Sequence, residues 1–221
     1  YFHDNIIHIV CVLSNNIGYF VYDIYCICMQ NIKAIGFDVD GTLYKMPDHI
    51  WMYVGKILIE KAAKLLSKDI DELSEEFLKR REEYRSNTKT LNSFGLDGEK
   101  IFQEVWDAIE VDKYVSKDEK LANMIEKLRK QYRLFIITNG TGRQVERKMT
   151  HLGLDYHDFD PRIYCNDQGW VKPDPQPFLA AIESLEMKPE EIVYVGDRED
   201  IDIEGAKAVG MQTIFVGGES E

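Results

Sequence analysis

From residue 116 to residue 216 the chain alternates between stretches of helical period and short apolar runs. The runs at 134–138, 162–165, 192–195 and 213–216 read as strands, and helical stretches at 116–131, 142–152, 175–185 and 203–209 separate them. Ser116 followed by Glu119 reads as a capping box at the start of the first of these helices. Upstream, a further apolar run, with Lys33 standing apart in it, ends in Phe37 and reads as a buried strand. Short strands joined by helices cannot pair as hairpins, so the pattern predicts a parallel sheet with helices on both faces. An α/β, Rossmann-like core is therefore expected, with any ligand beyond the carboxyl ends of the strands.

Between the first strand and residue 113 no strand signal appears. Residues 50–66 place apolar side chains at helical spacing, and 71–85 form a highly charged amphipathic stretch, acidic at its start and basic at its end. Residues 87–98 are polar, carry two glycines and read as a loop. A third helix at 99–109 puts Ile101, Phe102, Val105, Trp106 and Ile109 on one face. The predicted organisation is a core made of 29–44 and 114–221, with a small all-helical cap of 45–113 inserted after the first core strand.

Residues 1–28 differ from the rest: they contain no Lys or Arg and are rich in Ile, Val, Tyr and Cys. A signal peptide needs a basic start, and a membrane span needs roughly 20 uninterrupted apolar residues, and neither requirement is met. The stretch reads as a hairpin of 6–13 and 19–28, or as a non-native leader before a domain opening at Met29. Cys11, Cys26, Cys28 and Cys165 show neither disulfide-framework nor zinc spacing, so all four are read as reduced thiols in a cytoplasmic protein. A net charge of −12 disfavours nucleic acid and anionic membranes as partners and requires placed cations around any anionic substrate.

The strand ends carry the chemistry. The first ends in Asp38-Val39-Asp40-Gly41-Thr42; residues i and i+2 of an extended segment point the same way, so the two carboxylates converge. A pair so close repels itself unless a cation lies between them or one keeps its proton. The second strand ends in Thr138-Asn139-Gly140, a hydroxyl, an amide and a backbone N–H suited to an anion. A lysine held between nearby prolines follows in Lys172-Pro173-Asp174-Pro175. The fourth strand ends in Gly196-Asp197, with Arg198, Glu199, Asp200 and Asp202 close behind. Asp200 or Asp202 could serve merely as a helix N-cap, a reading that fits Asp197 less well.

Taken together, these four groups make the chain resemble the haloacid dehalogenase-like hydrolases over roughly residues 33–217, and the insert resembles that superfamily's helical cap. The resemblance implies an Mg2+-dependent phosphatase of small phosphate esters working through an aspartyl-phosphate. In it Asp38 is the nucleophile, Asp40 the acid and base, and Thr138, Asn139, Gly140 and Lys172 bind phosphate. Mg2+ is held by Asp38, the Asp40 backbone carbonyl and Asp197, with Asp202 acting through water or by holding Lys172. Members that cleave carbon–halogen bonds lack the second aspartate, so Asp40 points to phosphate chemistry. A phosphomutase, or a non-catalytic copy of the fold, are the rival readings, and monomer and homodimer stay open. Residues 1–28 and the extra charges at 198–200 depart from the family pattern.

Overall fold

The computed structural model describes residues 31–216. The hairpin expected at 6–13 and 19–28, the domain start at Met29, and the thiols Cys11, Cys26 and Cys28 lie outside them. The described chain forms two compact units, one containing residues up to 45 and from 111 onward, the other Met46–Glu110.

The first unit is built on five parallel strands: β1 (Ala34–Phe37), β2 (Arg133–Thr138), β3 (Phe159–Tyr164), β4 (Ile192–Gly196) and β5 (Gln212–Phe215). Their order is β3-β2-β1-β4-β5. β1 and β4 are buried along their whole length, as expected of parallel strands covered on both faces, whose sequences read as unbroken apolar runs. β3 begins at Phe159, earlier than residue 162, and contains Pro161. Proline removes a ladder donor, but β3 is an edge strand and Pro161 falls where its pairing with β2 shifts register, between the Leu134–Phe159 and Ile136–Arg162 pairs. The peptide bonds before Pro161 and Pro173 are cis.

The second unit contains α1 (Asp48–Leu66), α2 (Ile70–Tyr84), α3 (Asn87–Ser93) and α4 (Gly98–Asp107), and no strand. α3 falls in the stretch read as a loop. It has only seven residues, and Ser86 caps it by accepting from Lys89 N at 3.3 Å. Its hold on the unit comes from buried Thr90 and Leu91 and from Asn92, whose side chain accepts from Gly98 N at 2.8 Å to fix the start of α4. Phe94, just beyond α3, stacks on Phe77 and lies under the Arg80 guanidinium at 4.0 Å. Tertiary contacts of this kind, rather than propensity, make so short a helix viable.

Four helices return the chain to the sheet: α5 (Glu119–Leu128), α6 (Gly142–Leu152), α7 (Pro175–Leu185) and α8 (Glu204–Ala208). α5 starts three residues later than expected. Asp118, not Ser116, is its N-cap, one carboxylate oxygen accepting from both Lys120 N and Leu121 N at 2.9 Å. A single acceptor satisfying two orphan N–H groups displaces the predicted box. Parallel connections are right-handed, so the steps β1→β2→β3 put α5 and α6 on one face, and the reversed steps to β4 and β5 put α7 and α8 on the other. The second face packs accordingly: Phe178, Ala181 and Leu185 of α7 and Ala206 of α8 join Ala34, Phe135, Ile137, Ile163, Ile192 and Tyr194 in one apolar cluster.

Gly36 in β1 makes room for that cluster, because a Cβ there would stand 2.2 Å from the tip of the Phe135 ring. Gly36→Val is therefore expected to cost about 1–3 kcal/mol by overpacking. Urea denaturation checks this, and an unchanged midpoint would mean that the ring gives way freely. Among the described residues no helix is long and apolar enough to cross a membrane.

Candidate active site

The strand order reverses at β1 and β4, and the carboxyl end of β1 is where the acidic residues gather. Asp38 follows β1 directly, its N–H donating to Val195 O at 2.9 Å, so it is still tied to β4. The chain then turns: Thr42 N and Leu43 N both donate to Val39 O, and Gly41 N donates to Tyr44 O at 3.1 Å. Gly41 sits at φ +93, and a Cβ there would fall 2.2 Å from Asp197 Oδ2. Both the left-handed backbone and the close approach of Asp197 require glycine. The Thr42 hydroxyl donates to Asp197 Oδ1 at 3.3 Å, fastening the turn to the end of β4.

The two aspartates of this turn take separate partners. Asp38 accepts from Lys172 Nζ at 2.8 Å, and the same ammonium donates to Asp202 Oδ1 at 2.6 Å, Tyr194 Oη at 3.0 Å and Ile137 O at 3.1 Å. Asp40 accepts from Lys148 Nζ at 2.6 and 2.9 Å, and from the Tyr44 hydroxyl. Extended geometry aims residues i and i+2 alike, but the turn begins at Val39, so the alternation that predicts convergence ends at Asp38.

Lys172 is buried, with its backbone held by Asn139: Lys172 N donates to Asn139 Oδ1 at 2.8 Å, and Asn139 Nδ2 donates back to Lys172 O at 3.5 Å. The Asn139 side chain thus faces the lysine loop. Thr138, also buried, accepts from Gly140 N at 3.2 Å through its hydroxyl oxygen, which leaves the hydroxyl proton to donate elsewhere. Asp202 caps no helix. It lies in a single wide turn, Glu199–Ile203, ahead of α8, and its second oxygen accepts from Arg198 N at 3.1 Å. A Cβ at Gly196 would stand 2.3 Å from the Asp202 Cβ, so glycine there allows the turn to fold back against β4.

Burial dominates the electrostatics. It pushes the Asp38 carboxyl up, Lys172 opposes it, and the Asp202 and Asp197 charges add to it, with a result of about 8. Burial and then Asp202 push Asp197 up to about 6, against Lys172. For Lys172 burial works against the charge, but Asp202 and Asp38 hold the ammonium well above its ordinary range. Burial, followed by the Asp40 charge, keeps Tyr44 a neutral phenol, a donor to Asp40. Cys165 is buried nearby, and burial pushes its thiol up to about 12, so it is an unreactive thiol.

Asp38, Asp197 and Asp202 bring one carboxylate oxygen each to within 4.8 Å of one another. With all four aspartates ionised, two lysines leave two negative charges uncompensated. An all-oxygen set with that charge suits a hard divalent cation.

Tyr44 and Tyr194 enter this network without having stood out as site residues, and Lys148 stood out only with Gln144, as a loose family likeness after Thr138-Asn139-Gly140, with no role attached. Lys148 had a legible signal, a lysine on the apolar stripe of α6 with Val145, Met149 and Leu152. Tyr194 sits inside an apolar strand, where nothing in the sequence separates a tyrosine packed for its ring from one placed for its hydroxyl.

Comparison with known proteins gives a consistent picture. The family described as haloacid dehalogenase-like hydrolase matches residues 35–216. A glyceraldehyde 3-phosphate phosphatase of Methanopyrus kandleri is 33% identical over 199 residues, covering 84% of each chain. One of Pyrococcus furiosus is 32% identical over 200 residues, covering 85% of this chain and 81% of its own. Among solved structures, a HAD phosphatase from Thermococcus onnurineus superposes with a TM-score of 0.57 at 29% identity, covering 86% of this chain and 89% of its own.

Proposed function

We propose that this chain, which belongs to the haloacid dehalogenase-like hydrolase family and is a phosphoric monoester hydrolase, cleaves a small phosphate ester in two steps through a phosphorylated Asp38. The observation that carries the proposal is the separation of two aspartates only two residues apart into different surroundings. Asp38 lies with Lys172, Asp197 and Asp202, whereas Asp40 lies with Lys148 and Tyr44. That division supports a reading in which one carboxylate attacks and the other moves a proton.

In the first step Asp38 Oδ bonds to phosphorus, the ester P–O bond breaks, and Asp40 passes its proton to the leaving oxygen. In the second a water oxygen bonds to phosphorus, the bond to Asp38 breaks, and Asp40 takes the proton that the water gives up. General acid–base help of this kind contributes on the order of 10²–10⁴ in rate. Lys172 stays against Asp38 and offsets negative charge on it and on the phosphoryl group. The Thr138 hydroxyl and the Asn139 backbone N–H would bind phosphoryl oxygens at the helix α6 entrance, while the Gly140 N–H, which donates to the Thr138 hydroxyl oxygen, would hold that hydroxyl in place. Mg2+ fits the oxygen donors: Asp38, Asp197 and the Asp40 backbone carbonyl would hold it, and Asp202 would act from behind by holding Lys172. When bound, the ion supplies Lewis-acid neutralisation of phosphoryl charge.

The names of the Methanopyrus and Pyrococcus relatives make glyceraldehyde 3-phosphate the first substrate to try. The test is release of inorganic phosphate from a panel of small esters that includes it, with Mg2+ and then with EDTA. Acid quenching and peptide mapping during turnover complete it. Release that stops on chelation is expected, together with a phosphoryl adduct on the peptide containing Asp38. Folded, Mg2+-supplied protein that releases nothing across the panel would refute the reading, and an adduct on another residue would refute the role of Asp38.

A further inference from the structure

Lys148 is 2% exposed, and lysines are almost never that buried without a partner. It grips the Asp40 carboxylate through both oxygens, at 2.6 and 2.9 Å. The Tyr44 hydroxyl donates to the first of those oxygens. Taking an ammonium out of water costs several kcal/mol unless the geometry compensates it, so the placement is specific. Tyr44 shares a turn with Asp40, which bridges to it directly, and on its own would move with that turn. Lys148 reaches Asp40 from the interior of α6, 108 residues away in sequence, and so anchors it to an independent element.

We propose that Lys148 is the positioning residue of Asp40, fixing the direction in which that carboxyl group meets the leaving oxygen and then the attacking water. The proposal rests on the phosphatase reading above. Asp40 alone exchanges protons: it gives one to the leaving oxygen as the ester P–O bond breaks and takes one from water as the bond to Asp38 breaks. Lys148 neither gains nor loses a proton in either step. Its contribution is aim, and a misplacement of 1 Å in a reacting group can cost on the order of 10²-fold in rate.

Leaving groups distinguish aim from general support of the fold. A p-nitrophenolate departs without being protonated, whereas the alkoxide of glycerol 3-phosphate needs the Asp40 proton. The ratio kcat/KM reports events up to departure of the leaving group. For Lys148→Met, kcat/KM on glycerol 3-phosphate should fall on the order of 10- to 100-fold, while on p-nitrophenyl phosphate it should stay within about threefold. The kcat should drop with both, because the second step uses Asp40 whichever ester was cleaved. Asp40→Asn should show the same pattern more strongly, and Lys148→Arg should recover part of the alkyl-ester loss. A crystal structure of Lys148→Met should show the Asp40 carboxylate turned from its wild-type direction. Parallel losses of kcat/KM on the two esters, no loss of kcat/KM on either, or an unmoved Asp40 overturn the proposal. Wild type that hydrolyses no ester of the panel above overturns the phosphatase reading and this role with it; active wild type with parallel kcat/KM losses in the variant overturns the role of Lys148 alone.

Discussion

Asp38→Asn is expected to reduce phosphatase turnover on the order of 10⁴-fold or more, the scale seen when an attacking residue is removed from an enzyme that works through a covalent intermediate. An amide has the shape of the carboxylate but neither its charge nor its nucleophilicity, so binding of the ester should survive better than turnover. The same variant should also change stability in a predictable direction. Burial raises the Asp38 carboxyl from 3.8 to about 8, so between those values the folded, metal-free protein holds more protons than the unfolded chain. Stability then falls as pH rises through that window. The contribution is fully present below the unfolded value and lost as pH passes the folded one, and Asp197, raised to about 6, adds to the slope over the lower part of the range. Denaturant midpoints of metal-free wild type should therefore decline from about pH 4 to about pH 8, and those of Asp38→Asn should decline less. Retained turnover would remove Asp38 from the chemistry. An equal or steeper pH slope in the variant would show that its burial is not what strains the site.

Lys172→Met should cost the fold more than any other change at the site. The ammonium answers four acceptors, two of them the buried carboxylates of Asp38 and Asp202. Methionine matches much of the volume but leaves those carboxylates facing each other and Asp197 without a cation. Removing one partner of a buried charge cluster costs about 3–5 kcal/mol, because the remaining charges stay desolvated. Urea denaturation of metal-free protein at neutral pH measures this, with loss of turnover alongside. The double variant Lys172→Met/Asp202→Asn should regain part of the stability and none of the turnover, since the two residues are in contact and their effects should not add. A single variant as stable as wild type would mean that the carboxylates find other compensation.

The parallel sheet was legible because both faces are covered, which turns β1, β2 and β4 into plain apolar runs. β3 starts at Phe159 rather than the expected 162 and includes Pro161, and nothing local in the sequence says that this strand lies at an edge, where a proline is tolerated. α3 was invisible because Asn87-Thr88-Lys89-Thr90 has no apolar period, and its reasons for being helical, a serine cap and burial of Thr90 and Leu91, are tertiary. The α5 boundary slipped from Ser116 to Glu119 because an aspartate two residues on was the stronger cap.

At the candidate site, Asp38, Asp40, Asn139 and Asp197 closely follow a strand, Thr138 ends one, and Lys172 and Asp202 lie in the loops beyond, and all seven stand out in the sequence as polar residues in short motifs. Which carboxylate meets which lysine could not be read, since that depends on how a turn and a helix from distant parts of the chain meet. The roles of Lys148 and Tyr194 stayed hidden for the same reason: their polar atoms matter only once the fold has brought their partners to them.

The ion pairs at the strand ends join segments far apart in the chain: 134 residues between Asp38 and Lys172, 108 between Asp40 and Lys148, and 155 in the Thr42–Asp197 hydrogen bond. A half-assembled sheet, with β1 and β4 paired and the Lys172 loop still undocked, would gather Asp38, Asp197 and Asp202 with no lysine among them. Those three acids therefore penalise partial order, and the chain gains from closing all of its long connections together. Cooperative folding in this protein is in part a property of the charges at its candidate site.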